Sequence, residues 1–297
     1  MRILVVDDTQ LMRSILVEWL TAFGHQIVLA CDGAEGLEVV NTQSQPFDMV
    51  IADWEMPKVT GPELCWAIRA RGDSHYPYIL VITASEQVEK YTEALDSGAD
   101  DLLRKPLSRA MLWARLRAGE RFLGMQRELV RLATTDGLTG TLNRRHFLCL
   151  AAEAVARSGS HDMPLTVLML DIDKFKRIND SHGHDVGDRA LVAFVSACRG
   201  VVGEVGVLGR LGGEEFAVLL PGVFPGAALT LAEKVRRAVA ALSLPLRDDE
   251  ALGFTVSIGI GALAQGEGDI APALKRADIG LYRAKQAGRN RIRYERA

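Results

Sequence analysis

The sequence predicts two domains in tandem, an α/β fold on a parallel sheet followed by an α+β fold on an antiparallel-centred sheet. The chain has 297 residues, a length typical of about two domains. In its first third, short apolar runs alternate five times with amphipathic stretches, as the strands and helices of a parallel sheet do. From residue 165 onwards the predicted order is β-α-β-β-α-β, which is typical of α+β domains.

Composition narrows the class of protein. The hydrophobic share is 48% and the charged share 25%, which is ordinary for a globular protein. A net charge of -3 does not favour nucleic-acid binding. No apolar run approaches the roughly 18 residues of a membrane span, and acidic residues follow the N-terminus too early for a signal peptide. The cysteines are scattered without a Cys-x-x-Cys pair, which suggests reduced thiols in a cytoplasmic protein: Cys31, Cys65, Cys149 and Cys198.

The first half contains nine predicted elements. Strands are predicted at residues 3–6, 26–30, 49–52, 78–82 and 101–103, and helices at 10–23, 34–41, 61–70 and 88–97. In such sheets, ligands bind beyond the carboxyl ends of the strands. Polar residues occupy four of those ends: Asp7, Asp8, Asp53, Thr83 and Lys105.

Those five residues predict a cation site that handles a phosphoryl group. Three converging carboxylates would repel one another without a cation, and Mg²⁺ suits a site with few carboxylates and bound water. A lysine beside them compensates charge, and a hydroxyl can bond a phosphoryl oxygen. A single Asp at a strand end is usually only a cap, but five polar residues at four ends favour a site.

This constellation resembles the receiver domain of two-component response regulators. The resemblance covers residues 1–120 and rests on Asp7-Asp8, Asp53 within Ile-Ala-Asp-Trp-Glu-Met-Pro, Thr83 and Lys105-Pro106. It implies a doubly wound five-stranded domain that accepts a phosphoryl group from a histidine kinase or phosphotransfer protein.

The resemblance also implies a role for each residue. Asp53 would be the phosphoryl acceptor. The implied Mg²⁺ ligands are Asp8, Asp53 and the Glu55 carbonyl, with Asp7 assisting, and the implied phosphoryl-binding residues are Thr83 and Lys105. One position departs from the pattern: many receivers carry a switching Tyr or Phe three residues before the lysine, where this chain has Leu102.

Residues 107–133 predict a connecting helix. Ser108 is a plausible N-cap. Apolar residues then follow a 4-3-4-3 spacing, which indicates a coiled-coil seam: Ala118, Phe122, Met125, Leu129 and Leu132. Gly119 and Gly124 weaken the prediction of a rigid rod. Residues 108–117 are better explained as a final helix that covers its own sheet, and the part beyond 118 as a parallel dimer seam.

The second half is organised around a predicted hairpin. Apolar runs at residues 205–211 and 216–220 flank Gly212 and Gly213, which can both take the positive φ of a two-residue turn. Glu214 and Glu215 follow the turn. Upstream, a strand at 165–170 leads into Asp171-Ile-Asp173. Acidic residues near turns are often merely solvated, but two strand ends with acids are what a two-metal phosphoryl-transfer site requires.

The remaining elements complete an α+β domain, with helices predicted at residues 145–156, 188–199, 227–241 and 270–287 and a strand at 254–262. Residues 134–297 resemble a GGDEF-family diguanylate cyclase domain, with a ferredoxin-like or nucleotide-cyclase-like fold. The motifs that carry the resemblance are Thr135-Asp-Gly-Leu-Thr-Gly-Thr-Leu-Asn-Arg-Arg145, Asp171-Ile-Asp-Lys-Phe-Lys176, Gly183-His-Asp-Val-Gly-Asp188, Gly212-Gly-Glu-Glu-Phe216 and Ala284-Lys-Gln-Ala-Gly-Arg-Asn-Arg291. The family condenses two GTP into cyclic di-GMP and releases pyrophosphate.

The resemblance implies three groups of site residues. The implied Mg²⁺ ligands are Asp171, the Ile172 carbonyl, Glu214 and Glu215. Asn179 and Asp188 would read guanine. Lys285 and Arg289, four residues apart, are expected on one face of a helix, where they would bind phosphates. A role of Glu214 as proton acceptor stays open, since a metal-bound carboxylate is a weak base.

We therefore expect a cytoplasmic response regulator whose phosphorylation activates a diguanylate cyclase. Each domain of the family holds one GTP, and the product is two-fold symmetric, so a homodimer is expected. The alternatives are a catalytically silent GTP-binding module and a DNA-binding regulator, the latter disfavoured because no basic recognition helix follows residue 134. The Arg-x-x-Asp inhibitory site of many relatives is missing, because Gly203 and Gly206 stand at its two positions.

Overall fold

The structure is a computed structural model that describes residues 1–72, 75–84, 92–93, 95–161, 163–246 and 250–296. The chain divides into two compact units, Met1–Leu129 and Val130–Ala297. Half of the helix predicted at residues 88–97 lies outside the described residues, and residues 92–93 and 95–96, which are described, are helical.

The first unit is built on a five-stranded parallel sheet. Its strands are β1 (Arg2–Val6), β2 (Gln26–Ala30), β3 (Met49–Asp53), β4 (Tyr78–Thr83) and β5 (Asp101–Arg104). They lie in the order β2-β1-β3-β4-β5, and every pair is parallel. The reversal of strand order at β1 confirms the predicted doubly wound fold.

Helices cover both faces of this sheet. The described helices before the connector are α1 (Gln10–Ala22), α2 (Gly33–Thr42) and α3 (Gly61–Ala70). Helix α3 begins where the sequence directs it, because Thr60 and Glu63 form a reciprocal capping box. Alternate strand residues supply two apolar cores: Leu4 and Val50 lie in one, Ile3 and Ile51 in the other. Period-two alternation thus fills both faces.

Helix α4 (Arg109–Thr134) is continuous, and the border between the units falls after Leu129. Leu112, Leu116 and Leu123 are buried against the sheet of the first unit. The prediction that sheet packing stops near residue 117 is therefore wrong, since it continues to Leu123. Gly119 explains why: a Cβ there would lie 2.4 Å from Met49 Cε. The absence of a side chain at Gly119 therefore lets helix α4 pack closely against Met49 of β3.

The second unit is built on a six-stranded sheet. Its strands are β6 (Leu142–Asn143), β7 (Leu165–Ile172), β8 (Val207–Gly212), β9 (Glu215–Pro221), β12 (Val256–Ala262) and β13 (Ile292–Glu295). The order is β13-β12-β7-β9-β8-β6, and central strand β7 runs antiparallel to both neighbours. The predicted antiparallel-centred α+β fold is confirmed.

Within the described part of the second unit, the sheet is accompanied by the helices α5 (Arg144–His161), α6 (Phe175–His182), α7 (His184–Val202), α8 (Pro225–Ala240) and α9 (Ala271–Gln286), with a 3-10 turn at Gly203–Val205. A two-stranded ribbon, β10 (Leu244–Pro245) and β11 (Ala251–Leu252), lies apart from the main sheet. The sequence prediction missed α6 and strands β6, β10, β11 and β13. These elements are short, with eight residues in α6 and two to four in each strand, so each spans too few residues for hydrophobic periodicity to identify it.

No helix in the described part of the chain has both the length and the apolar character needed to cross a bilayer.

Candidate functional sites

The carboxyl ends of the parallel strands gather the acids predicted in the first unit. Asp7, Asp8 and Asp53 each offer a carboxylate oxygen, and these oxygens lie within 4.8 Å of one another. Lys105 Nζ lies 2.8 Å from Asp53 Oδ2 and 3.7 Å from Asp7 Oδ2. The contacts arise because β1 pairs with β3, and because β4 joins β3 to β5.

Burial sets the electrostatics of this group. Asp7 and Asp53 are 1% and 6% exposed, and burial raises the pKa of both carboxyl groups although Lys105 opposes it. Burial acts to lower the pKa of Lys105, but the two carboxylates outweigh it and raise that pKa. Among the described residues, Asp7 Oδ2 is a buried oxygen without a hydrogen-bond partner. An unbonded buried oxygen beside two further carboxylates fits a hard cation such as Mg²⁺.

Thr83 and Glu55 lie at the same edge of the sheet. The Thr83 carbonyl accepts a hydrogen bond from the Lys105 backbone N–H at 2.8 Å, and the buried threonine ends β4. Trp54, the residue between Asp53 and Glu55, donates its N–H to Asp53 Oδ1 at 2.9 Å. Leu102, on β5, is buried in one of the two apolar cores of the first unit. The position that is aromatic in many receivers therefore contributes here to core packing.

In the second unit, the glutamate hairpin is shifted by one residue from its predicted position. Gly212 is the last residue of β8 and Glu215 the first of β9, so the turn consists of Gly213 and Glu214. Gly213 has a φ of 46°, whereas Gly212 is not among the residues with positive φ. The prediction of a Gly212-Gly213 turn is therefore wrong. A register irregularity between Arg210 and Gly212 moves the turn.

Asp171 lies in the sheet directly opposite Glu215. The two residues are register partners across β7 and β9, and Ser257 is the partner of Asp171 on β12. Lys285 reaches Asp171 from helix α9, with Nζ 2.6 Å from Oδ2. Sheet pairing therefore brings the two predicted acidic strand ends together, and the lysine predicted to bind phosphate contacts the predicted metal ligand.

The charge at Asp171 is unfavourable in the folded protein. Burial raises its pKa to about 6, and Glu214 and Glu215 add to this effect, whereas Lys285 opposes it. Excess negative charge on hard oxygen ligands fits a divalent cation. Within the described residues, these three acids are less closely gathered than the Asp7, Asp8 and Asp53 group. The Ile172 side chain is fully buried at the end of the same strand.

Asp173 has a role that the sequence analysis missed. It is 6% exposed and accepts hydrogen bonds from Ser257 Oγ at 2.6 Å, Thr255 Oγ1 at 2.6 Å and the Asn290 N–H at 2.9 Å. Arg289 and Asn290 have φ values of 61° and 46°, which is unusual for residues other than glycine. Asp173 therefore holds a left-handed turn that carries Arg289.

Lys285 and Arg289 do not share a face of a helix, so that prediction is wrong. Helix α9 ends at Gln286, and Gly288, with a φ of 110°, terminates it. Arg289 lines a cavity of about 610 Å³ together with Lys174 and Arg177. Lys285 lines a separate cavity of about 260 Å³ beside Glu215. The two cations thus approach the strand ends from different directions.

The predicted guanine-binding residues lie on two adjacent helices. Asn179 is on α6 and Asp188 on α7, and Gly183 joins the helices with a φ of 84°. A Cβ at Gly187 would lie 1.9 Å from Asn179 Oδ1, so only glycine lets the amide lie against α7. Asn179 is half-buried and Asp188 is exposed.

Comparisons with known proteins identify both units. The family model of the response regulator receiver domain matches residues 3–117, and that of the diguanylate cyclase GGDEF domain matches residues 133–291. Response regulator PleD of Caulobacter vibrioides is 33% identical over 300 residues, which cover 98% of this chain and 65% of PleD. The probable diguanylate cyclase DgcC of Escherichia coli is 36% identical over 179 residues, which cover 60% of this chain and 48% of DgcC. The chain thus spans less than two thirds of the length of either relative.

Solved structures support the assignment of the second unit. The coiled coil and GGDEF domain of DgcB from Caulobacter crescentus, in complex with c-di-GMP, aligns with a TM-score of 0.57 and 32% identity over 63% of this chain and 98% of that chain. Diguanylate cyclase SiaD from Pseudomonas aeruginosa, in complex with its activator SiaC, aligns with a TM-score of 0.52 and 34% identity over 70% of this chain and 75% of that chain. The chain therefore belongs to the GGDEF family of diguanylate cyclase domains, and this domain follows a response regulator receiver domain.

Proposed function

We propose that the protein is a phosphorylation-activated response regulator that condenses two GTP into cyclic di-GMP. One observation carries the proposal: buried Asp171 lies opposite Glu215, and the negative charge of Glu214 raises the pKa of Asp171. Metal-assisted nucleotidyl transfer requires acids clustered in this way. The 3′-hydroxyl oxygen of each GTP forms a bond to the α-phosphorus of the other. The two α-phosphorus bonds to pyrophosphate break, and the hydroxyl protons leave to water or a carboxylate.

The proposed Mg²⁺ ligands are the Asp171 and Glu214 carboxylates and the Ile172 carbonyl, with Glu215 beside them. Bound there, the cation would supply neutralisation of triphosphate charge and easier ionisation of the 3′-hydroxyl. Lys285 Nζ lies 2.6 Å from Asp171 Oδ2. From this position the ammonium group could contact both Asp171 and a phosphate of bound GTP. Its ammonium group is flexible enough to do so.

Substrate recognition would divide between two ends of the nucleotide. Asp188 can accept two parallel N–H bonds from the guanine edge, and Asn179 can both donate and accept there. Arg289 would bind phosphate oxygens from the turn that Asp173 holds. Lys174 and Arg177 line the same cavity and add positive charge on the phosphate side.

The receiver domain would control this activity through Asp53. Its carboxylate contacts Lys105 and lies close to the Asp7 and Asp8 carboxylates. Mg²⁺ held there by Asp8, Asp53 and the Glu55 carbonyl would neutralise an incoming phosphoryl group. Thr83 and Lys105 would then bind the phosphoryl oxygens. The phosphodonor would be a histidine kinase or phosphotransfer protein in the cytoplasm.

A homodimer would bring two GTP-loaded domains together. Three seam residues of helix α4 are strongly exposed, with Met125 at 62%, Leu129 at 68% and Leu132 at 58%. Phe122 is 39% exposed and contacts the Tyr78 ring at a centroid distance of 5.7 Å. Apolar residues at 4-3-4-3 spacing favour a coiled-coil partner. The DgcB structure named above also contains a coiled coil.

Product inhibition through the Arg-x-x-Asp site should be absent. A Cβ at Gly206 would lie 2.6 Å from Leu220 Cδ2 and 2.8 Å from the Leu219 carbonyl oxygen, so packing leaves no room for an aspartate there. Gly203 has a φ of 53°, which strains any arginine at that position. Titration with cyclic di-GMP should give inhibition only in competition with GTP. Stoichiometric binding of a product dimer with matching loss of activity would contradict this.

Product analysis decides between an enzyme and a silent GTP-binding module. Purified protein with GTP and Mg²⁺ should form cyclic di-GMP and two equivalents of pyrophosphate, and beryllofluoride, a phosphoryl mimic, should raise the rate. The Glu214→Gln variant is the matched control: it should bind GTP but turn over far more slowly. GTP binding without product in the wild-type protein would instead support the silent module.

A further inference from the structure

Arg210 connects two parts of the second unit that are distant in sequence. Its Nε donates a hydrogen bond to the Gly213 carbonyl oxygen at 2.9 Å. Its Nη1 donates to both carboxylate oxygens of Asp136, at 3.0 and 3.2 Å. The side chains of Arg210 and Asp136 are only 15% and 23% exposed, so solvent competes weakly for these bonds.

The contact with Gly213 constrains the turn of the glutamate hairpin. The Gly213 carbonyl belongs to the same planar peptide group as the Glu214 N–H. A guanidinium that holds this carbonyl therefore fixes the plane from which the Glu214 side chain departs. Gly213 has a φ of 46° and tolerates many backbone conformations, so without that bond the turn would have more freedom.

The contact with Asp136 anchors the guanidinium to the beginning of the domain. Thr139 donates its N–H at 2.9 Å and its hydroxyl at 2.6 Å to Asp136 Oδ1. Burial acts to raise the pKa of Asp136, but the hydrogen bonds from Thr139 and Arg210 outweigh it and lower that pKa. Asp136 is therefore ionised at neutral pH and forms charge-assisted bonds.

The same segment is joined to the last turn of helix α4. The Ala133 carbonyl accepts hydrogen bonds from Asn143 Nδ2 and Arg145 Nη2, both at 2.9 Å. Asn143 belongs to β6 and is the register partner of Arg210 on β8. Backbone pairing and the Asp136 ion pair thus place Arg210 between the end of the helix and the glutamate turn.

We propose that Arg210 is a positioning residue for catalysis: by holding the Gly213 carbonyl it directs Glu214 towards the metal site, and through Asp136 it ties this turn to the segment where the connecting helix ends. This inference rests on the proposed function, because Glu214 matters only if the site binds a metal and GTP. A purely structural alternative exists, since the same contacts would also stabilise the hairpin.

Steady-state kinetics of the full-length protein separate the two roles. In Arg210→Gln, kcat should fall about 10- to 100-fold while KM for GTP changes little, because misplacement of a catalytic group costs rate. The Mg²⁺ concentration for half-maximal activity should rise about 10-fold, as for other residues that orient a metal ligand. A purely structural role would not shift the Mg²⁺ dependence.

A matched control is available at Arg199, whose Nη2 donates to the Gly140 carbonyl at 2.6 Å. It contacts the same segment as Asp136 but not the glutamate turn, so Arg199→Gln should retain wild-type kcat and Mg²⁺ dependence. Asp136→Asn should resemble Arg210→Gln in direction, and the double variant should be no worse than Arg210→Gln, because both changes break one connection.

The outcomes are distinguishable. Wild-type kcat and Mg²⁺ dependence in Arg210→Gln would overturn the inference. Equal losses of activity and thermal stability in Arg210→Gln and Arg199→Gln would also overturn it, because general destabilisation would then explain both. If the wild-type protein forms no cyclic di-GMP, the proposed function fails instead. The Mg²⁺ concentration that stabilises the GTP-bound protein against heat then tests Arg210 without turnover.

Discussion

Replacing Asp171 with Asn should stabilise the protein when no metal is bound, and it should abolish turnover of GTP when Mg²⁺ is present. The asparagine side chain has nearly the same shape, so the packing of β7 should survive. The change removes a negative charge that is 4% exposed and lies opposite Glu215. Because that charge is unfavourable in the folded state, its loss should favour folding, whereas metal binding requires it.

The size of the effect follows from the pKa of Asp171, which rises from 3.8 to about 6 on folding. A pKa shift of one unit corresponds to about 1.36 kcal/mol, so ionised Asp171 destabilises the folded protein by about 3 kcal/mol above pH 7. The variant leaves Lys285 without its partner at 2.6 Å. Because that lysine side chain is 33% exposed, water can solvate it, and a net gain of about 1–3 kcal/mol is expected.

The effect has a definite dependence on pH. The folded-state pKa of this acid lies above its unfolded value, so the destabilisation is complete above about pH 7. It decreases as pH falls through 6, because the folded protein then binds a proton that the unfolded chain lacks. Near pH 4 the folded wild-type protein is almost fully protonated at this residue, and the unfolded chain, whose pKa is 3.8, is about 40% protonated. The variant and the wild type should then differ by less than about 1 kcal/mol.

Urea unfolding in the presence of a chelator measures this difference. The four tryptophans all lie in the first unit, at Trp19, Trp54, Trp66 and Trp113. Their fluorescence therefore reports receiver unfolding and serves as an internal control, while far-UV circular dichroism also reports the second unit. With a slope of about 2 kcal/mol per molar urea, the midpoint of the second unit should rise by about 0.5–1.5 M.

Two results would refute this reasoning. A variant that is less stable than the wild type at pH 8 would mean that the folded protein favours ionised Asp171. A difference that stays constant between pH 8 and pH 4 would mean that the effect does not come from titration of this carboxyl group. Added Mg²⁺ and GTP should stabilise the wild type more than the variant, since they bind the folded state.

The receiver, the turn that carries Arg289 and the connecting helix each allow a further test. Asp53→Asn should fold normally but lose activation by a phosphodonor in a cyclase assay, and retained activation would exclude Asp53 as the acceptor. Asp173→Ala should weaken GTP binding about 10-fold while guanosine binding persists, because the Arg289 turn loses its acceptor; equal losses by calorimetry would contradict this. Deleting two residues within 118–132 rotates the helix by about 200° and should abolish phospho-activation while both thermal transitions remain; unchanged activation would exclude the seam.

The receiver site was predictable because its residues are marked by local pattern. Asp7 and Asp53 each directly follow an apolar run, and parallel strands place such residues at one edge of the sheet. The same reasoning applies to Asp171, which follows four consecutive apolar residues of its strand, at positions 167–170. In both cases the hydrophobic pattern and the position in the chain are enough to predict an acid at the end of a strand, because the direction of the strand determines where its end lies.

The details of the nucleotide site were less accessible to sequence reasoning. A one-residue shift in the register of β8 moved the turn from Gly212-Gly213 to Gly213-Glu214. Helix α9 ended before Arg289 because Gly288 adopts a φ of 110°. Both outcomes depend on hydrogen bonds whose alternatives differ by about 1 kcal/mol, which a pattern of apolar and polar residues does not resolve.

The sequence by itself determined the order of the longer strands and helices, the chain positions of the acids and the absence of side chains at Gly203 and Gly206. Tertiary structure decided which residues the buried acids contact. Asp173 meets the Asn290 N–H across 117 residues, and Asp136 meets Arg210 across 74. Periodicity carries information only over a few turns or strands, whereas a buried polar group must find its partner wherever folding brings one within about 3 Å.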